Sequence, residues 1–281
     1  MTLATLRDVL QPALLGGYAV PGLVCLGWED MRAYVAAAEA ERAPVILQAG
    51  PGCRAHTPLP VLAVMFRHLA ESASVPVVVH LDHGASLEEC RAALDLGFTS
   101  VMFDGSALAL QHNIDLTAAV AALAHAAGAS CEGEIGFVGY AGGAESAGTD
   151  PGEAARFARE TGVDAMAVSV GNLHLQQGAG QGLNLARLCA IEALTGVPLV
   201  IHGGSGVPVA ERAMLAAQSH IAKFNIGTEL RMAFGAALRQ AVLRDPARFD
   251  RIELLQDTEG PVMEAARGIF RTLGASGRAQ V

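Results

Sequence analysis

Apolar, largely β-branched runs recur along the chain, separated by Ala/Leu/Arg/Glu segments with helical spacing. The runs at 19–26, 44–48, 76–81, 100–103, 130–135, 165–170, 198–201 and 221–226 predict eight strands. Segments such as WEDMRAYVAAAEAERA and GEAARFARETG predict helices between them. The joints TGVD, TGVP and ASVP read as helix stop followed by strand start. At the N-terminus, MTLATLRDVLQPALLGG predicts an amphipathic helix, with Arg7 and Asp8 among its apolar residues, closing at Gly16-Gly17. Near-continuous apolar strands alternating with helices imply a parallel sheet buried on both faces. Eight βα units in a chain of 281 residues predict an α/β fold of the (β/α)8 TIM-barrel type, one domain spanning 1–281. An open doubly wound sheet would need a glycine-rich dinucleotide turn after the first strand, and none follows Leu26.

In a barrel of this kind the strand C-termini form the active-site face. Asp82 and His83 stand after the third strand and Asp104 after the fourth. Glu132 and Glu134 are on the fifth, His174 follows the sixth, and His202 the seventh. Asn225 and Thr228 lie on and after the eighth. Scattered burial of so many polar groups would cost several kcal/mol each without partners, so a shared site is the better reading.

Three histidines from separate strands, with carboxylates beside them, suit a catalytic zinc site: three protein ligands and one open position. His83, His174 and His202 are the expected ligands. His80 lies one step deeper on the face of Asp82 and reads as an interior hydrogen-bonding residue. His56, His68, His112, His125 and His220 fall in helices or loops and read as ordinary. Gly203, Gly204 and Ser205 follow the seventh strand; Asn225, Ile226, Gly227 and Thr228 end the eighth. This fold commonly cradles a phosphate in those loops, where backbone N–H groups and the hydroxyls of Ser205 and Thr228 would face the anion. A metal beside a phosphate site points to carbon-acid chemistry on a ketone, with Asp82 placed as the acid/base at a new hydroxyl.

Composition narrows the partners. The net charge is −9 with scattered basic residues, which argues against nucleic acid. No uncharged apolar run is long enough to span a membrane. Five cysteines without a C-x-x-C pair suggest reduced thiols and a cytoplasmic enzyme.

In combination, GGYAVP, HLDHG, SVMFDGS, CEGEIG, HGGSG, KFNIGTEL and a GRA near the end resemble the class II, metal-dependent ketose-bisphosphate aldolases, the group of fructose- and tagatose-bisphosphate aldolases. The resemblance covers nearly the whole chain. It implies one zinc held by His83, His174 and His202, with Asp82 as acid/base at the acceptor hydroxyl. It also implies that Asp104 and Glu134 bind an alternative or second metal, and that Gly203 to Ser205 and Asn225 to Thr228 hold the donor phosphate. The implied reaction is reversible cleavage of a phosphorylated ketose into dihydroxyacetone phosphate and an aldehyde through a zinc-stabilised enediolate. A homodimer or homotetramer, and a monovalent cation near the phosphate, are implied as well. The loop 137–149 supplies the C–H base in that family, which makes Glu145, flanked by Gly142, Gly143 and Gly148, the candidate here, with Glu132 the next. Departures surround the substrate: Leu175 and Gln176-Gln177 after His174, and Leu23-Val24-Cys25 after the first strand where Phe-Asn is usual. Three other readings are a Schiff-base aldolase through Lys223, the chain's only lysine, a metal-dependent ketose-phosphate isomerase or epimerase, and a non-catalytic metal-binding barrel.

Overall fold

The computed structural model describes residues 2–143, 145–178, 180 and 182–279. Its strands are β1 (Leu3–Ala4), β2 (Val20–Val24), β3 (Val45–Ala49), β4 (Val77–Gly84), β5 (Ser100–Phe103), β6 (Ser130–Ile135), β7 (Ala165–Val168), β8 (Leu199–Ile201) and β9 (Ile221–Ile226). Every pairing between these strands is parallel, and the β9–β2 and β4–β5 ladders close β2 to β9 into an eight-stranded barrel. Outside it run α1 (Leu6–Gly16), α2 (Trp28–Glu41), α3 (Pro51–His56), α4 (Leu59–Ser72), α5 (Leu87–Asp95), α6 (Leu110–Ala126), α7 (Pro151–Thr161), α8 (Leu185–Glu192), α9 (Val209–Gln218), α10 (Thr228–Arg244) and α11 (Arg251–Thr272). The predicted (β/α)8 barrel is the observed fold.

The barrel strands are the apolar runs expected, because burial on both faces removes the need for alternation. Their ends differ where side chains take over the ladder. β7 stops at Val168 rather than at 170: Ser169 N donates to Thr149 Oγ1 at 2.8 Å and Val170 N to Asn172 Oδ1 at 2.8 Å. β4 runs on to Gly84, with a register shift against β5 between Leu81 and Gly84. The two-residue β1, against the foot of β4, has no sequence signature; Val77 N donates to Thr2 O at 2.7 Å there.

The helix α1 closes the N-terminal mouth. Thr5 and Asp8 cap it reciprocally, and Gly17 ends it at φ 63°. Leu6, Leu10 and Ala13 are fully buried against the barrel floor. Arg7 pairs with Asp164 at 2.5 Å, and Asp164 also accepts from Cys131 N at 2.8 Å. With the floor sealed, the opposite mouth is the one open to substrate. No helix among the described residues is long and apolar enough to cross a membrane.

Candidate active site

The bulge in β4 carries the first two site residues. A bulge breaks the ladder and re-aims a side chain, and here His83 takes φ 52°, unusual for a residue with a Cβ. Arg54 on α3 holds this distorted stretch. Its Nη1 donates to Asp82 O at 2.6 Å and to Ala49 O, its Nη2 donates to His83 O at 2.9 Å, and its Nε pairs with Glu89 at 2.9 Å. Asp82, 5% exposed, accepts from Gln48 Nε2 at 2.8 Å and from Asn225 Nδ2 at 3.3 Å. Burial alone would raise its pKa, but the fields of His83, His202 and Lys223 hold it below the ordinary carboxylate value. Gly22 makes room for these supports, since a Cβ there would lie 2.0 Å from Gln48 Oε1 and 2.9 Å from Asn225 Oδ1. Neither sequence pattern nor motif singled out Gln48 or Arg54. The second could have been suspected only from its place in PGCRAH, a cation a few residues beyond the end of a strand.

His83, His174 and His202 converge as expected, with ring centroids 4.7–5.7 Å apart and candidate ligand atoms all within 4.8 Å of one another. His83, Asp104 and Glu134 form a second overlapping group. His83 Nδ1 lies 2.6 Å from Asp104 Oδ2, and the other Asp104 oxygen accepts from Ser106 N and Oγ at 3.1 and 2.7 Å. His202 Nε2 lies 3.1 Å from Glu132 Oε1. Its other nitrogen, Nδ1, is 3.2 Å from Glu134 Oε2, yet the two are misaligned and both are buried without a hydrogen bond. Such orphans are rare in native cores.

The electrostatics of the cluster carry the same tension. His202 is pushed up to about 10: burial opposes the charge, but Glu134 and Glu132 outweigh it. His174 falls to about 3, through burial and then the charges of His202 and His83. Protons alone therefore serve this cluster poorly. A divalent cation fits the donor set: it would satisfy an orphaned imidazole nitrogen and carboxylate oxygen and remove the histidine–histidine repulsion.

Beneath the histidines, Lys223 Nζ pairs with Glu132 Oε2 at 2.6 Å, both fully buried. Lys223 is thus held in an ion pair beside His80, whose Nδ1 meets Ser100 Oγ at 2.8 Å in the interior position expected of it. Glu132 is committed to this network.

The two glycine-rich loops lie side by side. Gly203 takes φ 66°, and a Cβ there would strike Leu173 O at 2.1 Å. Ser205 Oγ accepts from Gly227 N at 3.3 Å and Glu229 N at 3.4 Å, tying the loops together. Gly203, Ser205, Asn225, Gly227 and Thr228 line the cavity that holds Asp82 and the histidines. Gly204 and Ile226 are buried behind it and do not line it. Thr228 opens α10, so the positive end of that helix faces the same space. Arg231, one turn on, is the only lysine or arginine among the described residues that lines this cavity; sequence reasoning missed it. Leu175 occupies its turn at φ 58°, a left-handed conformation that costs a residue with a Cβ about 1–2 kcal/mol, so the chain keeps a glycine-like turn without glycine.

Glu145 is exposed and does not line the cavity. From its loop it is Tyr140, among the described residues, that does so.

The family model for fructose-bisphosphate aldolase class-II matches residues 4–278. The chain is 36% identical over 294 residues to a fructose-bisphosphate aldolase of Geobacillus stearothermophilus, with 99% of each chain covered. It is 36% identical over 285 residues to a 6-phospho-5-dehydro-2-deoxy-D-gluconate aldolase of Shouchella clausii, covering 99% of this chain and 97% of that one. The crystal structure of the YdjI aldolase from Escherichia coli K12 superimposes with a TM-score of 0.87 at 32% identity, covering 99% and 100% of the two chains. A family match and relatives that span almost the whole chain agree with the geometry of the barrel mouth: the protein belongs to the class II fructose-bisphosphate aldolase family and is an aldehyde-lyase.

Proposed function

We propose that the protein reversibly cleaves a phosphorylated ketose into dihydroxyacetone phosphate and an aldehyde. The observation that carries this reading is the convergence of His83, His174 and His202 beside a buried, ionised Asp82 at the open mouth of the barrel. The three histidines would hold a zinc ion, with Asp104 and Glu134 available to an alternative or second metal. Zinc, when bound, polarises the ketone carbonyl of the substrate. Asp82 takes the proton of the hydroxyl on the acceptor side as the carbon–carbon bond breaks, and returns it in the synthetic direction. Gln48 and Asn225 hold its carboxylate by one oxygen, leaving the other for that proton. Ser205, Thr228 and the backbone N–H groups of the two glycine loops bind the donor phosphate, supported by the α10 N-terminus. The donor carbon exchanges its proton with a base from the loop 137–149, for which Glu145 is the assigned residue, reaching the cavity when that loop closes over substrate. The reading includes a homodimer or homotetramer, and a monovalent cation near the phosphate beside the Leu175 turn.

The buried Lys223–Glu132 pair supports the metal route over a Schiff base, because an amine committed to a carboxylate is a poor nucleophile. The test is a screen of phosphorylated ketoses with coupled detection of dihydroxyacetone phosphate. Release of that product from at least one ketose is expected. Interconversion of ketoses with no three-carbon product would instead assign an isomerase or epimerase.

A further inference from the structure

The three histidines are not supported alike. His83 has Asp104 at 2.6 Å and His202 has Glu132 at 3.1 Å, the carboxylate backing that usually fixes the tautomer and orientation of a metal-bound imidazole. The ring of His174 has no hydrogen-bonding partner among the described residues, and it stands on a loop after β7 rather than on a strand. A freely turning imidazole would cost entropy on binding an ion.

What meets His174 is Tyr140. Their rings stack with centroids 4.9 Å apart and planes at 29°. The chain around Tyr140 is bound to His174 on both sides: His174 N donates to Gly139 O at 2.8 Å, and Ala141 N donates to His174 O at 3.0 Å. The stem of the loop is anchored, since Phe137 and Ala147 form an antiparallel bridge and Ser146 Oγ accepts from Gly139 N at 2.9 Å. A tyrosine that is 45% exposed is not there to fill a core. Its ring is spent on one face of one imidazole.

We propose that Tyr140 is a positioning residue of the metal centre: its ring, stacked on His174, fixes the one imidazole that no carboxylate holds. This rests on the reading of His83, His174 and His202 as the metal ligands. An aromatic ring can restrict rotation of the imidazole as a hydrogen bond does, while leaving both ring nitrogens free. The hydroxyl is not required, so phenylalanine should replace tyrosine and an aliphatic residue should not.

The experiment titrates metal-free full-length protein with cobalt(II), reading affinity and the visible d–d absorption that reports ligand geometry. Tyr140→Phe is expected to match the unaltered protein in both. Tyr140→Leu is expected to weaken binding roughly 10-fold or more, the size of effect typical of residues supporting metal ligands, with a changed d–d band and an unchanged melting temperature of the metal-free protein. Equal affinity and spectrum in Tyr140→Leu would overturn the proposal. So would an equal loss in Tyr140→Phe, or a parallel fall in metal-free stability, which would place the effect in loop folding. His174→Ala separates the two levels: if it binds cobalt(II) normally, the ligand assignment itself is wrong, whereas its loss beside a normal Tyr140→Leu removes only the role of the tyrosine.

Discussion

Lys223→Met would break the ion pair at the centre of the barrel. Lys223 and Glu132 are fully buried and 2.6 Å apart. Removing one partner of such a pair commonly costs about 3–5 kcal/mol, because the other is left as an uncompensated buried charge. Glu132 would retain His202 at 3.1 Å and His80 at 3.7 Å, which places the expected loss near the lower end, about 3 kcal/mol. The pH dependence has a definite sign. Burial would raise the pKa of Glu132, but Lys223 first, then His202 and His80, hold it well below the usual carboxylate range. A depressed folded pKa stabilises the protein above the unfolded value, about 4.3, and that contribution is lost as pH falls below it. Without Lys223 the burial effect gains ground and Glu132 takes up a proton more readily. The deficit of Lys223→Met should therefore be greatest at neutral pH and shrink on acidification below about pH 4.3. Urea denaturation with excess chelator, which removes metal linkage, would measure it. With a slope of about 3 kcal/mol/M, the midpoint should fall by about 1 M at neutral pH. Adding Glu132→Gln to Lys223→Met should recover part of the loss, since the buried charge is gone. A pH-independent deficit below about 1 kcal/mol, or strict additivity of the two substitutions, would refute the reasoning.

Asp82→Asn should keep its metal and lose cleavage by roughly 10²–10⁴, with a smaller effect on exchange of the donor C–H proton; equal losses would remove Asp82 from the acceptor side. Ser205→Ala and Thr228→Val should each weaken donor binding by about 0.5–1.5 kcal/mol, or up to about 3 if the hydroxyl meets a charged oxygen. The serine change should carry the larger effect because Ser205 also links the two loops; an unphosphorylated donor handled as well as dihydroxyacetone phosphate would contradict the assignment. Glu145→Gln should slow solvent exchange of the donor proton far more than it weakens binding of an enediolate-mimicking inhibitor, and a wild-type exchange rate would place the base elsewhere.

The barrel was legible because strands buried on both faces must be apolar along their length, so the runs at 44–48 and 221–226 mark their strands almost to the residue. The polar groups at strand ends stood out for the same reason: Asp82, His83 and His202 interrupt sequences that have no other cause to become polar. What sequence could not supply was contact between distant segments. The grip of Arg54 on the carbonyls of Asp82 and His83 spans 28 and 29 residues. The end of β7 depends on Thr149, 20 residues before Ser169. The loop 137–149 was read from its acidic residue and glycines, whereas the residue that its fold delivers to the cavity is aromatic, because backbone bonds to His174 bring Gly139 and Ala141, and with them Tyr140, against the imidazole. Arg231 was passed over because a cation in the first turn of a helix resembles any other surface charge until the cavity beside it is known.

Exhaustive chelation followed by a cleavage assay and metal analysis would decide whether a metal held by three histidines drives the aldol chemistry. Activity should vanish on chelation and return with zinc or cobalt, His202→Ala should lose both metal and activity, and borohydride with substrate should leave Lys223 unmodified. Full activity in metal-free protein, or borohydride trapping of substrate on Lys223, would contradict the account.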